Sequence, residues 1–351
     1  MEKNMQDFFN TWLEKEGQGF SGVYSVSGHD GVIFRQACGY RNRAEKLPNT
    51  VDTAFAIASG TKLFTGLAVC KLVDEKKLSL EDKLCNVLPF DLGQIDKRVT
   101  IFHLLTHTSG VGDYIDEEAD GDEDQLQGLY NKYPVYLWKR LEYYLQMITP
   151  LPPKFEPGKR FGYSNSGFVL LGLVVEAISG ISYQQFVQET IIKPCNLART
   201  GYYRMDSLPP NTALGYMQDE ESGNWHSNIF SMPILGGSDG GLFTCAEDLD
   251  KLWRAIFANK ILTEDMTFLF LKSHVNMDGD DEHSSYYGLG VYIEIKSDKP
   301  VYYAVGGDYG VDFFTAYFPA TGIVASALGN TNINTFPLLD QLLSAIAIHG
   351  E

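Results

Sequence analysis

The sequence predicts an α/β (α+β) fold in two parts, an antiparallel sheet flanked by helices and a mostly helical subdomain. Short segments with the alternation typical of strands occur near the start of the chain and again in its last third. Between them, helical patterns are joined by Pro- and Gly-rich turns such as Leu151-Pro152-Pro153 and Glu156-Pro157-Gly158. This order favours a sheet completed by both ends of the chain, with the helical stretch inserted on one side.

We expect a single domain, residues 1–351, made of those two parts. The α/β portion is placed at residues 1–77 and 217–351, and the helical insertion at residues 78–216. A chain of 351 residues is long enough for one large domain or two, and this one has no internal repeat or low-complexity linker to divide it. A functional site is expected in the cleft between the parts.

The N-terminal part is predicted to begin with a helix and a hairpin. The segment Met1–Phe20 is amphipathic, and one side of it carries Phe8, Phe9, Trp12 and Leu13. The segment Gly22–Arg35 then alternates as two short strands around the turn Gly28-His29-Asp30-Gly31.

A second helix is predicted to start near Ser59, because apolar residues recur there at helical spacing up to the charged stretch Asp74–Lys77. This spacing places Ser59 and Lys62 one turn apart on one helix face. The last third closes with a helix over Phe336–Ile348. Before that helix, strands are predicted at Tyr287–Ile295, Val301–Val305, Phe313–Phe318 and Ile323–Gly329.

Composition and charge exclude several classes of function. The chain is 44% hydrophobic and 21% charged, as in an ordinary globular protein, and its net charge of −17 opposes binding to nucleic acid or to an anionic membrane. Apolar stretches such as Phe168–Val175 are too short and too Gly-interrupted to span a bilayer. No basic and then apolar leader is visible, so we expect a cytoplasmic protein; a secreted chain trimmed of its leader would look the same.

Neither a metal nor another cofactor is expected. The acidic run Asp116–Asp124 has Gly121 at the sixth place of a calcium loop, but Glu118 stands third and Gln127 twelfth, which favours a solvated loop. The cysteines lack the paired spacing of zinc or redox sites and are interpreted as buried free thiols: Cys38, Cys70, Cys85, Cys195 and Cys245.

A pair of histidines gives a second test for a metal. His103 and His107 lie four residues apart, which suits two ligands on one helix. No glutamate or third ligand accompanies them at a zincin spacing. We therefore expect both histidines to be structural and to hydrogen-bond the loop that ends at Gly110.

The tetrad Ser59-Gly60-Thr61-Lys62 is the Ser-x-x-Lys pattern of the chain. A serine hydroxyl is a poor nucleophile unless a base takes its proton, and a lysine held neutral by burial or by a neighbouring cation can be that base. The competing interpretation is a helix N-cap serine followed by an exposed lysine.

The segment Tyr163-Ser164-Asn165 follows a Pro-Gly turn and precedes a helix predicted over Gly167–Gly180. A phenol near an ammonium group can carry a proton, and an amide can hold a lysine while it binds a substrate carbonyl. The segment Tyr40-Arg41-Asn42 has the same Tyr-x-Asn pattern, but it does not stand at the start of a helix.

Another serine offers a different chemistry. The segment Gly236–Gly240 fits the Gly-x-Ser-x-Gly elbow of α/β-hydrolases with Ser238 as nucleophile. Such an elbow joins a buried strand directly to a helix, yet Pro233 precedes it and Gly241–Thr244 follows before the next helix. We expect a Gly-rich turn that packs beneath the active site. The histidines that would complete the alternative triad are His274, His283 or His349.

With these residues the chain resembles the penicillin-recognising serine hydrolases, in the subgroup of class C β-lactamases, D-Ala-D-Ala carboxypeptidases, D-aminopeptidases and related esterases. The resemblance rests on five blocks in family order: Thr53–Leu84, Thr100–Gly110, Phe155–Gly172, Gly236–Leu249 and Val305–Asp308. It implies a β-lactamase-like fold and a small-molecule ester, amide or peptide as the substrate, and it leaves the oligomeric state open.

The resemblance also implies roles for the matching residues. Ser59 would be the acylated nucleophile, and Lys62 and Tyr163 would move the protons; which of them takes the first proton stays open. Asn165 would hold Lys62 and the acyl side chain. Backbone N–H groups of Ser59 and Asp308 would form the oxyanion hole. The strand segment Gly306, Gly307 and Asp308 would line the substrate.

One departure from the family pattern bears on the substrate. Where relatives carry Lys-Thr-Gly or His-x-Gly, this chain has Val305-Gly306-Gly307, and a valine cannot bind a substrate carboxylate. An esterase or D-amino-acid amidase is therefore favoured over a β-lactamase or D-Ala-D-Ala carboxypeptidase. The alternative from another class is a binding or sensor protein that keeps the fold without turnover.

Overall fold

A computed structural model of the chain describes residues 2–15, 17–117, 128–219, 221–278, 285–296, 298–333, 335 and 337–342. His283, His349 and Gln127 lie outside the described residues, as does stretch 118–124 of the acidic run. Of the helix predicted over Phe336–Ile348, residues 337–342 are helical and the others lie outside the described part.

The fold is organised around an eight-stranded sheet in the order β2-β1-β14-β13-β12-β11-β10-β9. All its neighbouring strands are antiparallel, and β1 pairs with β14 from Gly22↔Gly329 to Ser27↔Val324. This confirms the predicted antiparallel sheet, which both ends of the chain complete. The strands are β1 (Gly22–Gly28), β2 (Gly31–Cys38), β9 (Val275–Asn276), β10 (Ser285–Tyr287), β11 (Tyr292–Lys296), β12 (Lys299–Asp308), β13 (Val311–Phe318) and β14 (Ile323–Gly329).

Helices flank the sheet and fill most of the middle of the chain. Those helices are α1 (Glu2–Lys15), α2 (Thr61–Asp74), α3 (Leu84–Val87), α4 (Ile101–Leu105), α5 (128–132), α6 (Leu145–Ile148), α7 (Asn165–Ser179), α8 (Tyr183–Val187), α9 (Ala246–Phe257), α10 (Glu264–Leu271) and α11 (337–342). The 3₁₀ turns are Ala58–Gly60, Val135–Leu137, Leu141–Tyr144 and Asn228–Phe230, and a π turn covers Gln188–Ile192. Short strand pairs outside the sheet are β3 (Tyr40–Asn42) with β4 (Leu47–Pro48), β5 (Phe55–Ala56) with β8 (Phe243–Thr244), and β6 (Tyr216–Gln218) with β7 (Trp225–Ser227).

The elements can be placed along the predicted division of the chain, which itself stays a prediction. Every strand of the large sheet lies within residues 1–77 or 217–351, and α3 to α8 lie within residues 78–216. Strand β6 crosses the predicted boundary at 216/217, so the boundaries themselves stay a prediction.

The prediction of a single strand over Tyr287–Ile295 is wrong, because β10 ends and β11 begins inside this segment. The turn between them has Gly290 at φ +103°, which favours glycine. It packs directly on α2, where a Cβ on Gly66 would lie 2.2 Å from the Leu289 carbonyl oxygen. Apolar residues continue through this turn, so the alternating pattern does not reveal it.

The two faces of the sheet carry separate apolar clusters, since successive side chains of a strand point to opposite faces. One face packs against α1 and α11. We call the buried residues on this face, among them Phe9, Trp12 and Phe314, the α1 cluster. The other face belongs to a larger core that includes α2, α7 and α9. On β12, Val305 packs against the α1 cluster, whereas the next residue, Gly306, faces the turn that carries Ser59.

Helix α2 lies at the centre of that larger core. Its residues from Thr61 to Cys70 are all buried, so the helix has no solvent-facing side over this length. Among the described residues, no single helix is long and apolar enough to cross a bilayer; the pair Asn165–Ser179 and Tyr183–Ile192 meets the length and composition criteria only jointly, across a 77° bend.

The cysteines follow the prediction in part. All of them are free thiols, but only Cys70 and Cys245 are buried. Cys85 is exposed, and the other two are partly exposed. The expectation that all would be buried is therefore wrong.

The contact between β12 and the serine turn gives a test of the fold. A Cβ at Gly306 would lie 2.2 Å from the Ile57 carbonyl oxygen and 2.9 Å from the backbone nitrogens of Ser59 and Gly60. We expect Gly306→Ala to lower the free energy of unfolding by about 1–3 kcal/mol in urea denaturation, because backbone atoms must shift. Gly307→Ala is the matched control, since its Cβ would meet nothing within 4 Å. Equal effects of the two substitutions would contradict this packing.

Candidate active site

A strained turn presents Ser59 to the cleft. The preceding residue, Ala58, has φ +42°, in the left-handed region that residues with a Cβ avoid. The conformation is held by hydrogen bonds on both sides: the Gly60 N–H donates to the Ile57 carbonyl at 2.8 Å, and the Thr61 hydroxyl donates to the Ala58 carbonyl at 2.7 Å. Ser59 is half-buried, directly before α2.

The Ser59 hydroxyl meets an amine and a phenol. Lys62 Nζ donates to Ser59 Oγ at 2.9 Å, and the Tyr163 hydroxyl donates to the same oxygen at 2.7 Å. The helical spacing of the tetrad produces the first contact, while the fold brings Tyr163 from the start of α7. The competing interpretation of the tetrad is wrong, because Gly60 is the N-cap residue and Lys62 is 3% exposed.

Lys62 is held by acceptors on every side. Besides Ser59, its Nζ donates to Asn165 Oδ1 at 2.7 Å and to the Asp239 carbonyl oxygen at 2.8 Å. Burial lowers the pKa of this amine below its ordinary value, and nearby carboxyl groups, Asp239 first and Glu117 next, act in the opposite direction. Since burial is the larger effect, the neutral amine is favoured relative to an exposed lysine.

Tyr163 keeps its proton in this environment. Burial raises the pKa of its phenol well above the ordinary value, and the charges of neighbouring groups add to that rise. The hydrogen bond to Ser59 acts against it and is the smaller effect. The phenol is thus a proton donor to Ser59 Oγ in the resting site.

The start of α7 fixes Asn165. The Ser164 hydroxyl accepts the Gly167 N–H at 3.0 Å, and the Asp113 carboxylate accepts the N–H groups of Asn165 and Ser166, each at 2.8 Å. These groups satisfy backbone donors that the first turn of a helix leaves free. Burial raises the pKa of Asp113 to about 7, against the effect of both N–H donors. Sequence reasoning missed Asp113, because no spacing rule connects it to α7.

The Asn165 amide has a further partner that the sequence did not reveal. Its Nδ2 donates to Glu117 Oε1 at 2.9 Å and, more weakly, to the Ile115 carbonyl at 3.4 Å. Glu117 belongs to the acidic run that the sequence predicts to be a solvated loop. The described start of that run instead contacts the candidate site.

Both histidines are structural, and the predicted contact with the loop that ends at Gly110 is made by backbone alone, where the His103 carbonyl accepts the Thr108 N–H at 2.9 Å. The two rings bind elsewhere. His103 Nδ1 accepts the Thr100 N–H at 3.2 Å in a capping box at the start of α4. His107 Nδ1 accepts the Ser164 N–H at 3.1 Å, and its ring lies 4.6 Å from the Tyr163 ring. Burial lowers the pKa of His107 well below its ordinary value, so the ring is neutral and supports the wall behind Tyr163.

The Gly-rich turn around Ser238 lies beneath the site, as predicted. Its Asp239 carbonyl accepts from Lys62, and its Ser238 carbonyl accepts from the Thr65 hydroxyl at 2.6 Å. The Ser238 hydroxyl is buried and has no hydrogen-bond partner among the described residues. His274 Nε2 lies 2.8 Å from the Leu269 carbonyl. The described part of the chain therefore does not form the alternative triad.

A cavity of about 530 Å³ opens above Ser59. Aromatic side chains from the helical part form one wall, namely Tyr114, Tyr130, Trp138 and Tyr144. Carboxyl groups also line it, at Glu117, Asp239, Asp308 and Asp312, and its lining within the described chain contains no lysine, arginine or histidine. In the same described residues, no group of three or more His, Cys, Asp or Glu side chains is arranged to hold a metal ion.

Of the three residues on β12 that were expected to line the substrate, only two line this cavity. Gly307 and Asp308 line it, whereas Gly306 packs beneath Ser59. Val305 does not line it, because its side chain packs against the α1 cluster on the other face of the sheet. The ionisable side chain that this strand contributes to the cavity is the carboxyl group of Asp308, three residues after Val305.

Comparisons with known proteins agree with this architecture. The Beta-lactamase family model matches residues 9–346. Penicillin-binding protein 4* of Bacillus subtilis (strain 168) is 31% identical over 278 residues, which cover 75% of this chain and 57% of that protein. The chain thus spans a little over half the length of that relative.

Solved structures share the fold. A penicillin-binding protein from Bacillus halodurans superposes with a TM-score of 0.88 at 37% identity, covering 97% of this chain and 99% of that one. The D-amino acid amidase from Ochrobactrum anthropi SV3, complexed with D-phenylalanine, superposes with a TM-score of 0.77 over 97% of this chain and 99% of its own. At 19% identity, this second likeness concerns the fold alone.

The role of Asp113 can be tested by stability. Asp113→Leu removes the acceptor of two buried N–H groups, and we expect the free energy of unfolding to fall by about 2–5 kcal/mol in urea denaturation. Asp91→Leu is the control, because the exposed Asp91 accepts a single backbone N–H, from Gly93 at 3.0 Å. Its loss should stay below about 1 kcal/mol. Similar losses in both variants would mean that Asp113 does not anchor α7.

Proposed function

The chain belongs to the Beta-lactamase family of serine hydrolases, and we propose that it hydrolyses esters or amides through an acyl-enzyme on Ser59. One observation carries the proposal: Ser59 Oγ accepts hydrogen bonds from both Lys62 and Tyr163 at the floor of an open cavity. A hydroxyl with a buried amine and a phenol beside it is equipped for general-base activation and proton return.

The first proton goes to Lys62. A neutral amine has two N–H groups and one lone pair, and two of the Lys62 partners, Asn165 Oδ1 and the Asp239 carbonyl, can only accept. In the neutral form those two partners take the N–H groups, so the 2.9 Å contact with Ser59 reverses its direction and the lone pair of Lys62 accepts from the Ser59 hydroxyl. Tyr163 is a poor first base, since its raised pKa keeps the phenol protonated.

Acylation begins with attack of Ser59 on the substrate. Ser59 Oγ bonds to the substrate carbonyl carbon as its proton passes to Lys62, and the backbone N–H of Ser59 stabilises the oxyanion. The Asp308 N–H, expected as the second donor, is directed at β13 instead, because Asp308 and Val311 flank a two-residue turn and form a hydrogen-bonded pair of the ladder. Loss of one such donor typically costs about 3 kcal/mol of barrier. The bond from the carbonyl carbon to the leaving nitrogen or oxygen then breaks, as Tyr163 protonates the departing amine or alcohol and regains a proton from Lys62. Water attacks the acyl-enzyme by the reverse sequence and releases the acid.

The cavity disfavours substrates with a carboxylate next to the scissile bond. Its described lining has carboxyl groups and no cationic side chain, so such a substrate would meet repulsion without an ion pair. This supports an esterase or amino-acid amidase over a β-lactamase or D-Ala-D-Ala carboxypeptidase. The D-amino acid amidase that shares the fold is compatible with that choice.

A covalent probe tests the nucleophile and separates an enzyme from a binding protein. We expect a fluorophosphonate to add a single group to the chain, measured by intact-mass spectrometry, and Ser59→Ala to abolish the adduct. Ser238→Ala is the matched control and should label fully, because the Ser238 hydroxyl is buried. An adduct that vanishes in Ser238→Ala alone, or no adduct at all, would refute the proposed site.

A pH profile tests Lys62 as the base. The charge of Asp239 is the largest influence that raises the pKa of Lys62, so Asp239→Asn should lower that pKa further. Lys62 would then be neutral at lower pH, and the acid limb of kcat/KM should move to lower pH. Asn can still accept the hydrogen bond that the Tyr114 hydroxyl donates to Asp239. A shift of the limb to higher pH would contradict the assignment.

A further inference from the structure

The amide of Asn165 is already occupied. In a cleft of this kind, an Asn amide beside the nucleophile is the natural donor to a carbonyl on the acyl side of the substrate. Here its Oδ1 accepts from Lys62, and its Nδ2 donates to Glu117 Oε1 and to the Ile115 carbonyl. A substrate carbonyl would have to displace either the Glu117 carboxylate or the Ile115 carbonyl from that amide.

Asn165 therefore positions a hydrogen-bond acceptor, the Glu117 carboxylate, at the cavity. Glu117 lines the cavity with Ser59, and its side chain is exposed there. A carboxylate that accepts one hydrogen bond from an amide keeps capacity for further donors on its remaining lone pairs. The hydrogen bond to a 5% exposed Asn165 fixes where Glu117 presents them.

A second carboxyl group faces the same space from the sheet. Asp308, at the end of β12, lines the cavity and accepts the Tyr309 N–H at 2.8 Å. Burial raises its pKa to about 7, and the charges of Glu117 and Asp239 add to the rise, whereas the Tyr309 N–H and the charge of Lys62 beneath the cavity act against it. These acids therefore repel one another across a space whose described lining has no cation, and a cationic ligand would relieve that repulsion.

On the premise that the chain is the hydrolase proposed above, we infer that its substrates carry a free amine on the acyl group, as amino-acid amides and esters do. Glu117 and Asp308 bind the ammonium group and are the residues that determine specificity. An ammonium has three donors and no acceptor, which matches two carboxylates. A blocked N-acyl amine lacks the charge, and its carbonyl would compete with Glu117 and the Ile115 carbonyl for the Asn165 amide.

The test measures binding, so that it does not depend on turnover. In the Ser59→Ala variant, calorimetry should show alaninamide binding at least about tenfold more tightly than N-acetylalaninamide, for at least one enantiomer, as expected for charge-assisted hydrogen bonds. Equal or tighter binding of the acetylated amide, or no binding of either, would overturn the inference. The fluorophosphonate adduct reports separately on the hydrolase itself.

Substitutions at the two carboxyl groups test whether they determine the preference for a free amine. Glu117→Gln and Asp308→Asn, each made in Ser59→Ala, should each reduce the preference for the free amine at least about threefold, because each removes one charge-assisted contact. Asp312→Asn is the control: it lines the same cavity, but its carboxylate already accepts from the Thr335 hydroxyl and N–H. It should keep the preference, and a loss equal to that of the other two variants would show a general effect of charge and overturn the assignment. A full preference retained in both Glu117→Gln and Asp308→Asn would overturn it too.

Discussion

The buried amine of Lys62 is the constraint on which the rest of the site depends. Removing a lysine from water costs several kcal/mol unless its donors are satisfied. The fold satisfies them with Ser59, Asn165 and the Asp239 carbonyl, which come from three distant parts of the chain. The position of α2 in the central core, the capped start of α7 and the Gly-rich turn beneath them together bring these acceptors to one point.

The sequence predicted the parts of this site that follow a periodic rule. Ser59 and Lys62 are three residues apart, which is one helical turn, and the 3₁₀ turn Ala58–Gly60 that leads into α2 continues that spacing up to Ser59. The sheet strands were predicted from alternation, except where a glycine turn interrupts an apolar run between β10 and β11. Tyr163 was predicted from its place before a helix and from the resemblance to a known family, because no local rule connects it to Ser59.

The rest depends on tertiary placement, which no spacing rule contains. Asp113 and Glu117 contact Asn165 although they precede it by 52 and 48 residues in the chain. Glu117 also belongs to an acidic run, and such runs are usually solvated. The side of the sheet that Val305 occupies is set by the register of β12 with β13, where it pairs with Phe314 of the α1 cluster. The residue pattern shows that Val305 replaces the Lys or His of the family. Only the structure shows that Asp308 is the charged residue of this strand that faces the cavity.

Two demands on Lys62 conflict, and the inferred substrate reconciles them. A base must be neutral, yet Asp239, Glu117, Asp113 and Asp308 all stabilise its charged form. An ammonium bound between Glu117 and Asp308 would offset part of that negative charge at the moment when the substrate carbonyl reaches Ser59. By the ordinary rule for neighbouring charges, the pKa of Lys62 would then fall. The amine would be a stronger candidate to accept a proton from Ser59 with substrate in place than without it, so the acidic lining couples recognition of the substrate to activation of the nucleophile.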